Sequence, residues 1–570
     1  MIKKYMKGNW KYAILAPLCI LIDTIGMMIV PQITSNVIDV GIKTTDVNYI
    51  INQGIIAVLG AVICMIGGFF AMYFSAKASY GFGANLRQDL INKIQEFSFA
   101  NINKFTTSSL ITRLTNDVEV LVNLVQMCLR MLIRTPIILV GGILMLYLTS
   151  KDIAKLFFAL IPILVILILT VLVKAFPMFR KVQEKIDKVN SVIRENLVGA
   201  RVVKSFVRED FENERFEDAN EGLKDITVKS FGIMIVMMPM VSLIMNIAIA
   251  LVLWIGSSGT VKAGALSAAI TYMMMTLISL MMLSMVFMNF SRAKASKDRI
   301  EEILNEVPDI KNKENAVNNK IEKGEVEYNI ESFEFADSHG EAILENIKFK
   351  VNAGEMVAII GSTGTGKSTL VNLMPRFYDV TKGEVKIDGI DVRDYDLTVL
   401  RDSIGMVLQE NRLFEGTIEE NIKWGKKDAT LEEVKEACKI AQIDEYIESL
   451  PEKYNSHVEQ RGANFSGGQK QRLCIARALI KKPKILILDD SVSALDSTTE
   501  NNLRRALKEE FKDTTIFMIV QKISSCREVD RVLVVDDGTI VGNGTHEELI
   551  QNNDIYKEIY ESQKEVMPER

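Results

Sequence analysis

Gly361-Ser362-Thr363-Gly364-Thr365-Gly366-Lys367-Ser368-Thr369 decides how the second half of this chain folds. The segment fills every position of the phosphate-loop pattern G-x-x-x-x-G-K-[ST]. It follows the apolar run Met356–Ile360, read as a buried strand, and leads into an apolar helical pattern. That strand-to-helix setting is what the motif requires. Its glycines let backbone N–H groups wrap phosphates at a helix start whose dipole favours anions. Lys367 is placed to reach the β- and γ-phosphates of a nucleoside triphosphate, and Ser368 to ligate Mg²⁺.

Further along, Ile485-Leu486-Ile487-Leu488-Asp489 reads as a buried strand ending in a carboxylate. Such a strand places Asp489 near the phosphate loop, where it can hold Mg²⁺ directly or through water. These two motifs alone define no more than a P-loop NTPase. Phe465-Ser466-Gly467-Gly468-Gln469, lying between them, narrows the class. With Gln409, the segment Ser493-Ala494-Leu495-Asp496 and an aromatic Phe335 ahead of the phosphate loop, the sequence resembles ABC proteins. The resemblance extends over essentially the whole chain, because six apolar spans precede the cassette as in half-exporters.

That resemblance implies specific roles. Phe335 stacks on adenine, while Gln409 contacts Mg²⁺ and senses the membrane domain. Residues Phe465–Gln469 close over ATP held by the other cassette of a dimer, and Ser493–Asp496 crosses the dimer interface. The physics is coherent, since a glycine-rich helix start donates N–H groups to a γ-phosphate.

Two positions depart from the family pattern. Where the family has a catalytic glutamate, this chain has Asp490, one methylene shorter, so its carboxylate falls roughly 1.5 Å short. Misplacing a general base removes an effect worth about 10²–10⁴-fold. Where the family has a histidine against the γ-phosphate, the run Thr515–Val520 is followed by Gln521, which hydrogen-bonds without an imidazole's shape or charge behaviour. Together they resemble the degenerate-site subunit of heterodimeric bacterial multidrug exporters of the LmrCD and BmrCD kind. Phe335 in place of the usual tyrosine, and Gln460 in place of an acidic residue, are milder departures.

The first half of the chain is a different object. A membrane span needs about 20 mostly apolar residues. Six stretches qualify, at 14–38, 53–78, 122–149, 153–178, 228–256 and 263–290. The connections at 79–121 and 179–227 are long and rich in Lys and Arg, whereas 39–52, 150–152 and 257–262 are short. The positive-inside tendency therefore puts the long connections and both termini in the cytoplasm. Leu86, Leu90 and Ile94, and then Val182, Ile186, Val189, Ile193 and Leu197, keep helical spacing inside those connections, so the membrane helices extend beyond the bilayer. Polar segments at Asn103–Leu114 and Arg208–Asp218 are natural levers between the ATP site and the membrane.

Asp23 lies inside the first span, where an isolated carboxylate costs at least a few kcal/mol and marks a candidate contact for cationic cargo. The alternative is a carboxylate hydrated in the inter-helix cavity or bonded to a neighbouring helix. Arg130 and Arg134, early in the third span, read as snorkelling or vestibule-facing. The last two spans carry Met234, Met237, Met238, Met240 and Met245, then Met273, Met274, Met275, Met281, Met282, Met285 and Met288. Methionine suits a surface that accepts several apolar shapes, and equally suits ordinary packing.

The net charge of −5 averages these two halves and gives nucleic-acid binding no support. The six cysteines and three histidines show no metal-like spacing and read as free thiols and isolated imidazoles. The expected organisation is a six-helix polytopic membrane domain at 1–300, a charged linker at 301–324 and an α/β P-loop ABC ATPase domain at 325–565. The expected activity is ATP- and Mg²⁺-dependent export of hydrophobic compounds from the cell membrane, through a heterodimer with a second half-transporter. A homodimeric lipid or peptide exporter, and an ATP-gated or regulatory membrane ATPase, are the alternatives.

Overall fold

A computed structural model describes residues 1–257, 261–335, 338 and 340–564. Residues 258–260 of the connection expected at 257–262 fall outside those residues, as does the domain end expected at 565. The chain forms two compact units, Met1–Lys93 with Ser108–Glu306, and Ile94–Thr107 with the chain from Val307 onward.

Among the described residues, six helices of the first unit are long and apolar enough to cross a membrane. The helix Val47–Gln95 has 49 residues, hence about 74 Å of length against about 30 Å of hydrocarbon. Lys151–Val198 continues past its apolar part in the same way. The fifth span is interrupted: one helix ends at Ile235 and the next starts at Met237. Pro239 explains the break, because it has no N–H to offer the Ile235 carbonyl. The polar segment Arg208–Asp218 lies almost wholly within the helix Glu209–Ile235, which follows the short helix Ala200–Ser205.

Close contacts fix the packing of these helices. Tyr272 Oη, fully buried, donates to the Met28 carbonyl at 2.9 Å. A side chain at Gly142 would lie 2.5 Å from Thr276 Oγ1, so glycine there lets two helices approach. Asp39 accepts from the N–H groups of Gly264 (2.7 Å) and Ala265 (3.2 Å), capping the last membrane helix from the end of the first. Asp117 takes Ser296 Oγ at 2.8 Å and a forked contact from Arg299, tying the third helix to the sixth beyond their apolar parts.

Among its described residues the second unit carries twelve strands: β1 (Val326–Phe333), β2 (Leu344–Val351), β3 (Met356–Ile360), β4 (Lys382–Ile387), β5 (Ile390–Asp391), β6 (Ile404–Val407), β7 (Gly416–Thr417), β8 (His457–Val458), β9 (Ile485–Asp489), β10 (Thr515–Ile519), β11 (Arg531–Asp536) and β12 (Thr539–Gly544). One sheet runs β12-β11-β3-β10-β9-β6, with β12 antiparallel and the remainder parallel. Every residue of β3, β9 and β10 is buried, as a parallel sheet covered on both faces demands. An antiparallel sheet, β2-β1-β4-β5, packs its core against the first. The order matters for function: β3, β10 and β9 are adjacent and parallel, so their carboxyl ends open onto one edge.

Ile94–Thr107 folds with this second unit although its sequence lies between two spans. The helix Phe99–Phe105 starts on a capping box made by Ser98 and Asn101. Its Phe99 ring sits 4.7 Å from that of Phe377, with Tyr378 also in reach at 6.4 Å. The packed part thus begins before the polar segment expected at 103–114, with Phe99 against Phe377 and Asn103, within that segment, hydrogen-bonded to Tyr378.

Candidate functional site

The carboxyl edge of the parallel sheet assembles the site. After β3 the chain turns through the phosphate loop into a helix starting at Lys367. A Cβ at Gly361 would meet the Val535 carbonyl oxygen at 2.0 Å, so this position excludes any side chain. Gly366 takes φ +91, a left-handed conformation that glycine adopts without strain. Ser362, Thr363 and Gly364 are exposed at the tip, while Thr365, Lys367, Ser368 and Thr369 are half-buried. Lys367 Nζ donates to the Gly361 carbonyl at 2.8 Å and also to that of Ser362, folding back onto the loop.

The β9 end supplies the carboxylates. Ser368 Oγ donates to Asp489 Oδ1 at 2.8 Å. Asp490 follows with φ +48, a left-handed conformation that non-glycine residues rarely adopt and that concentrates at functional sites. From the end of β10, Gln521 Nε2 donates to Asp490 Oδ2 at 2.7 Å. Burial raises the Asp489 carboxyl above its ordinary value, and the neighbouring Asp490 charge adds to that. Burial likewise raises Asp490 and lowers the Lys367 ammonium, whose value the two carboxylates pull back up. Two adjoining carboxylates that burial disfavours as anions, one already holding a serine hydroxyl, form a donor set that suits a hard divalent cation. Ser368 and Asp489 would hold Mg²⁺ here, and the ion would neutralise charge on bound phosphates.

Other expected site residues sit apart from this cluster. Gln409 lies two residues beyond β6, exposed, and its side chain makes no hydrogen bond among the described residues. Phe335 is half-buried, edge-on to Phe333 and Tyr378, each at 5.0 Å. Tyr378 was not foreseen, since no motif marks it. Its ring supports Phe335, and it belongs to the cluster against which Phe99 packs.

Phe465 is buried against Tyr446, which anchors the loop entering the helix Gly467–Leu479. Ser466 caps that helix: its Oγ accepts from the Gln469 N–H at 3.4 Å, and Gln469 Oε1 accepts from the Ser466 N–H at 2.9 Å. Gly467 is exposed and Gly468 half-buried, so the first N–H groups of the helix are open to a ligand. No hydrogen bond among the described residues links Ser466–Gln469 to the phosphate loop of the same chain. Instead Gln471, buried, accepts from the Ala494 N–H at 3.1 Å and ties this helix to Ser493–Asp496. Asp496 in turn caps the helix Ser497–Glu510.

Gln563 is a further residue that no sequence signal marked. From the last helix its Nε2 donates to the Gln521 carbonyl at 2.9 Å, and its Oε1 accepts from the Ile523 N–H at 2.8 Å. The loop presenting Gln521 to Asp490 is therefore fixed from behind.

In the membrane unit, Asp23 is buried and its Oδ2 lies 3.2 Å from Arg134 Nη1. This is the alternative of a carboxylate bonded to a neighbouring helix, and Arg134 turns inward to meet it. The methionines divide. Met245 and Met273 belong to the packed core, whereas Met275, Met282 and Met285 line cavities. The side chains of Met234 and Met288 lie outside the described residues. All six cysteines are free thiols.

Fold and site together define a multi-pass membrane protein with a fused nucleoside-triphosphate-binding domain. Residues 13–285 match the ABC transporter transmembrane region family, and residues 344–493 match the ABC transporter family. An uncharacterised ABC transporter ATP-binding protein, YfiB of Bacillus subtilis, is 40% identical over 537 residues, covering 94% of this chain and 93% of that protein. The ATP-dependent lipid A-core flippase of Desulfotalea psychrophila is 35% identical over 489 residues, 84% of each chain. YgaD of Bacillus subtilis, a putative multidrug export ATP-binding/permease protein, is 35% identical over 506 residues, 86% of this chain and 85% of that one. A solved bacterial Atm1-family ABC exporter with ATP bound shares the fold, with a TM-score of 0.79 at 24% identity over 98% of both chains. The chain belongs to the ABC transporter family, as an exporter half in which the membrane domain is fused to its ABC ATPase.

Proposed function

We propose that this chain exports hydrophobic or amphipathic compounds across the cell membrane as one half of a heterodimer, holding the poorly hydrolysing ATP site of the pair. Its ATPase domain and both termini face the cytoplasm. Its phosphate loop binds MgATP through Lys367, Ser368 and Asp489, with Gln409 completing the metal shell and Phe335 stacking on adenine. Phe465–Gln469 completes the competent site of the partner chain.

The observation that carries this reading is the bond from Gln521 Nε2 to Asp490 Oδ2 at 2.7 Å. A general base needs a free lone pair within hydrogen-bond reach of the attacking water. Asp490 is roughly 1.5 Å shorter than glutamate, by one carbon–carbon bond. One of its oxygens is occupied by an amide that donates and cannot take up a proton. The binding end of the site retains its full set of groups, so nucleotide binding and hydrolysis part company here.

Membrane vesicles supply the test. Vesicles holding this chain together with the half-transporter that co-purifies with it are expected to move an amphipathic dye vectorially when ATP is added, and vesicles of this chain alone are expected to move none. Equal transport by the chain alone identifies a homodimeric exporter. Hydrolysis without dye movement by the pair identifies a gated or regulatory ATPase. Either result overturns the proposal.

A further inference from the structure

Between the helices Trp10–Asn36, Val118–Thr149 and Ala263–Asn305 lies a cavity of about 300 Å³. Its wall includes the thioethers of Met27, Met131, Met275 and Met282, and two guanidinium groups, Arg130 and Arg134. A second cavity of about 460 Å³ shares Arg130 and Met131 with the first and adds Arg292. The two therefore adjoin, with Arg130 at the boundary.

The charges along these walls do not balance. Arg134 has its counter-ion in Asp23 at 3.2 Å. Arg130 and Arg292 have no hydrogen-bond or ion-pair partner among the described residues, and neither cavity has an acidic residue in its lining. Thr135, on the same helix as both Arg130 and Arg134, lines the first cavity with its hydroxyl buried and without a hydrogen-bond partner. Arg292 is exposed, whereas Arg130 is half-buried at the cavity wall, where a guanidinium without a counter-ion is costly. A ligand that supplies an anionic acceptor removes that cost.

We infer that these adjoining cavities bind an anionic amphiphile. A sulfonate, carboxylate or phosphate head meets the planar fork of Arg130, and the apolar part lies against the methionines. Arginine matches such oxyanions with two parallel hydrogen bonds, and methionine adapts to varied apolar shapes. Asp23 then acts through Arg134, cancelling one of the positive charges, and does not receive a cationic cargo. That the occupant is cargo rests on the export reading above; that it is anionic rests on the wall itself.

The test is a binding titration on the full chain in zwitterionic nanodiscs without ATP, with empty nanodiscs subtracted. One probe is a dansyl-labelled dodecyl sulfonate, the other a dansyl-labelled dodecyl trimethylammonium. The sulfonate is expected to bind at least tenfold more tightly than the cation, a difference of about 1.4 kcal/mol. Arg130→Gln is expected to cost the sulfonate about tenfold, again about 1.4 kcal/mol, and to leave the cation unchanged. Asp23→Asn, by freeing Arg134, is expected to tighten the sulfonate. MgATP binding by each variant reports that it is folded. Repeating the titration with anionic lipid in the disc separates two sources of the same chemistry: competition points to a lipid headgroup, and its absence to a free amphiphile. Equal affinity for the two probes, or an Arg130→Gln variant that binds both as the wild type does, overturns the inference. A pair that transports dye while this chain prefers the cation loses the inference and keeps the export reading. A chain that binds the sulfonate but, with its partner, moves nothing keeps the site and loses the export reading.

Discussion

Around Lys367 every charged group has a partner: its ammonium folds onto loop carbonyls, Asp489 holds Ser368, and Asp490 holds Gln521. Around Arg130 the wall mixes thioethers and hydrocarbon with amide side chains such as Asn123 and Gln126, and the guanidinium has no counter-ion among the described residues. The first arrangement suits one ligand of fixed geometry, because preorganised donors lose little on binding it. The second suits ligands that share a charge but differ in shape, because long-range charge and soft contacts discriminate weakly between outlines. The difference also explains why motif reading reaches one region and not the other.

The largest expected effect strikes the nucleotide region. Lys367→Ala removes the cation that meets the β- and γ-phosphates, and charge-assisted bonds are each worth about 1.5–3 kcal/mol. MgATP affinity measured by calorimetry is expected to fall about a hundredfold, with dodecyl sulfonate binding unchanged. Loss of both affinities together would mean that the two regions are not independent.

Next comes the pH response of Asp489, whose carboxyl burial and Asp490 raise above the ordinary value. For a carboxyl raised in the folded state, the contribution to stability is fully present below the unfolded-state value and is lost as pH rises through the folded one. Metal binding has the opposite sign, because Mg²⁺ needs the carboxylate. MgATP affinity is therefore expected to decline on acidification, beginning above the range of an ordinary aspartate at about pH 4. Asp489→Asn is expected to bind MgATP more weakly and with a flat profile over the same range. A wild-type profile that stays flat until the ordinary aspartate range would remove the argument from burial.

The smallest expected effect falls on the membrane cavity. Met275→Leu together with Met282→Leu keeps volume and apolarity, and such exchanges usually cost less than about 1.5 kcal/mol. Sulfonate affinity is expected to change less than threefold by the same dansyl titration, with thermal stability nearly unchanged. A large loss would show a wall with a fixed shape, and the contrast with the phosphate loop would shrink.

The nucleotide region was legible because its geometry is written in contiguous residues. The glycines of 361–366 specify backbone conformations, Ser466 and Gln469 specify a cap, and strand ends specify where Asp489, Asp490 and Gln521 appear. Their convergence follows once β3, β10 and β9 are neighbours. The contacts from Gln471 to Ala494, and from Gln563 to the loop after β10, were not legible, since each joins elements whose approach only the folded chain decides. The same holds for Asp23 and Arg134, which lie on separate membrane helices and meet through packing. Six spans could be counted from hydropathy, which integrates over many residues. The break before Met237 was missed although Pro239 marked it, because hydropathy is blind to a missing N–H.

Steady-state ATP hydrolysis by this chain alone in lipid nanodiscs tests the central claim most directly, with Asp490→Glu combined with Gln521→His as the paired variant. The account predicts a wild type that binds MgATP and scarcely turns it over, and a double variant that gains at least tenfold in turnover, within the range general-base placement commands. Brisk hydrolysis by the wild type would contradict it, and would make the chain a self-sufficient homodimer.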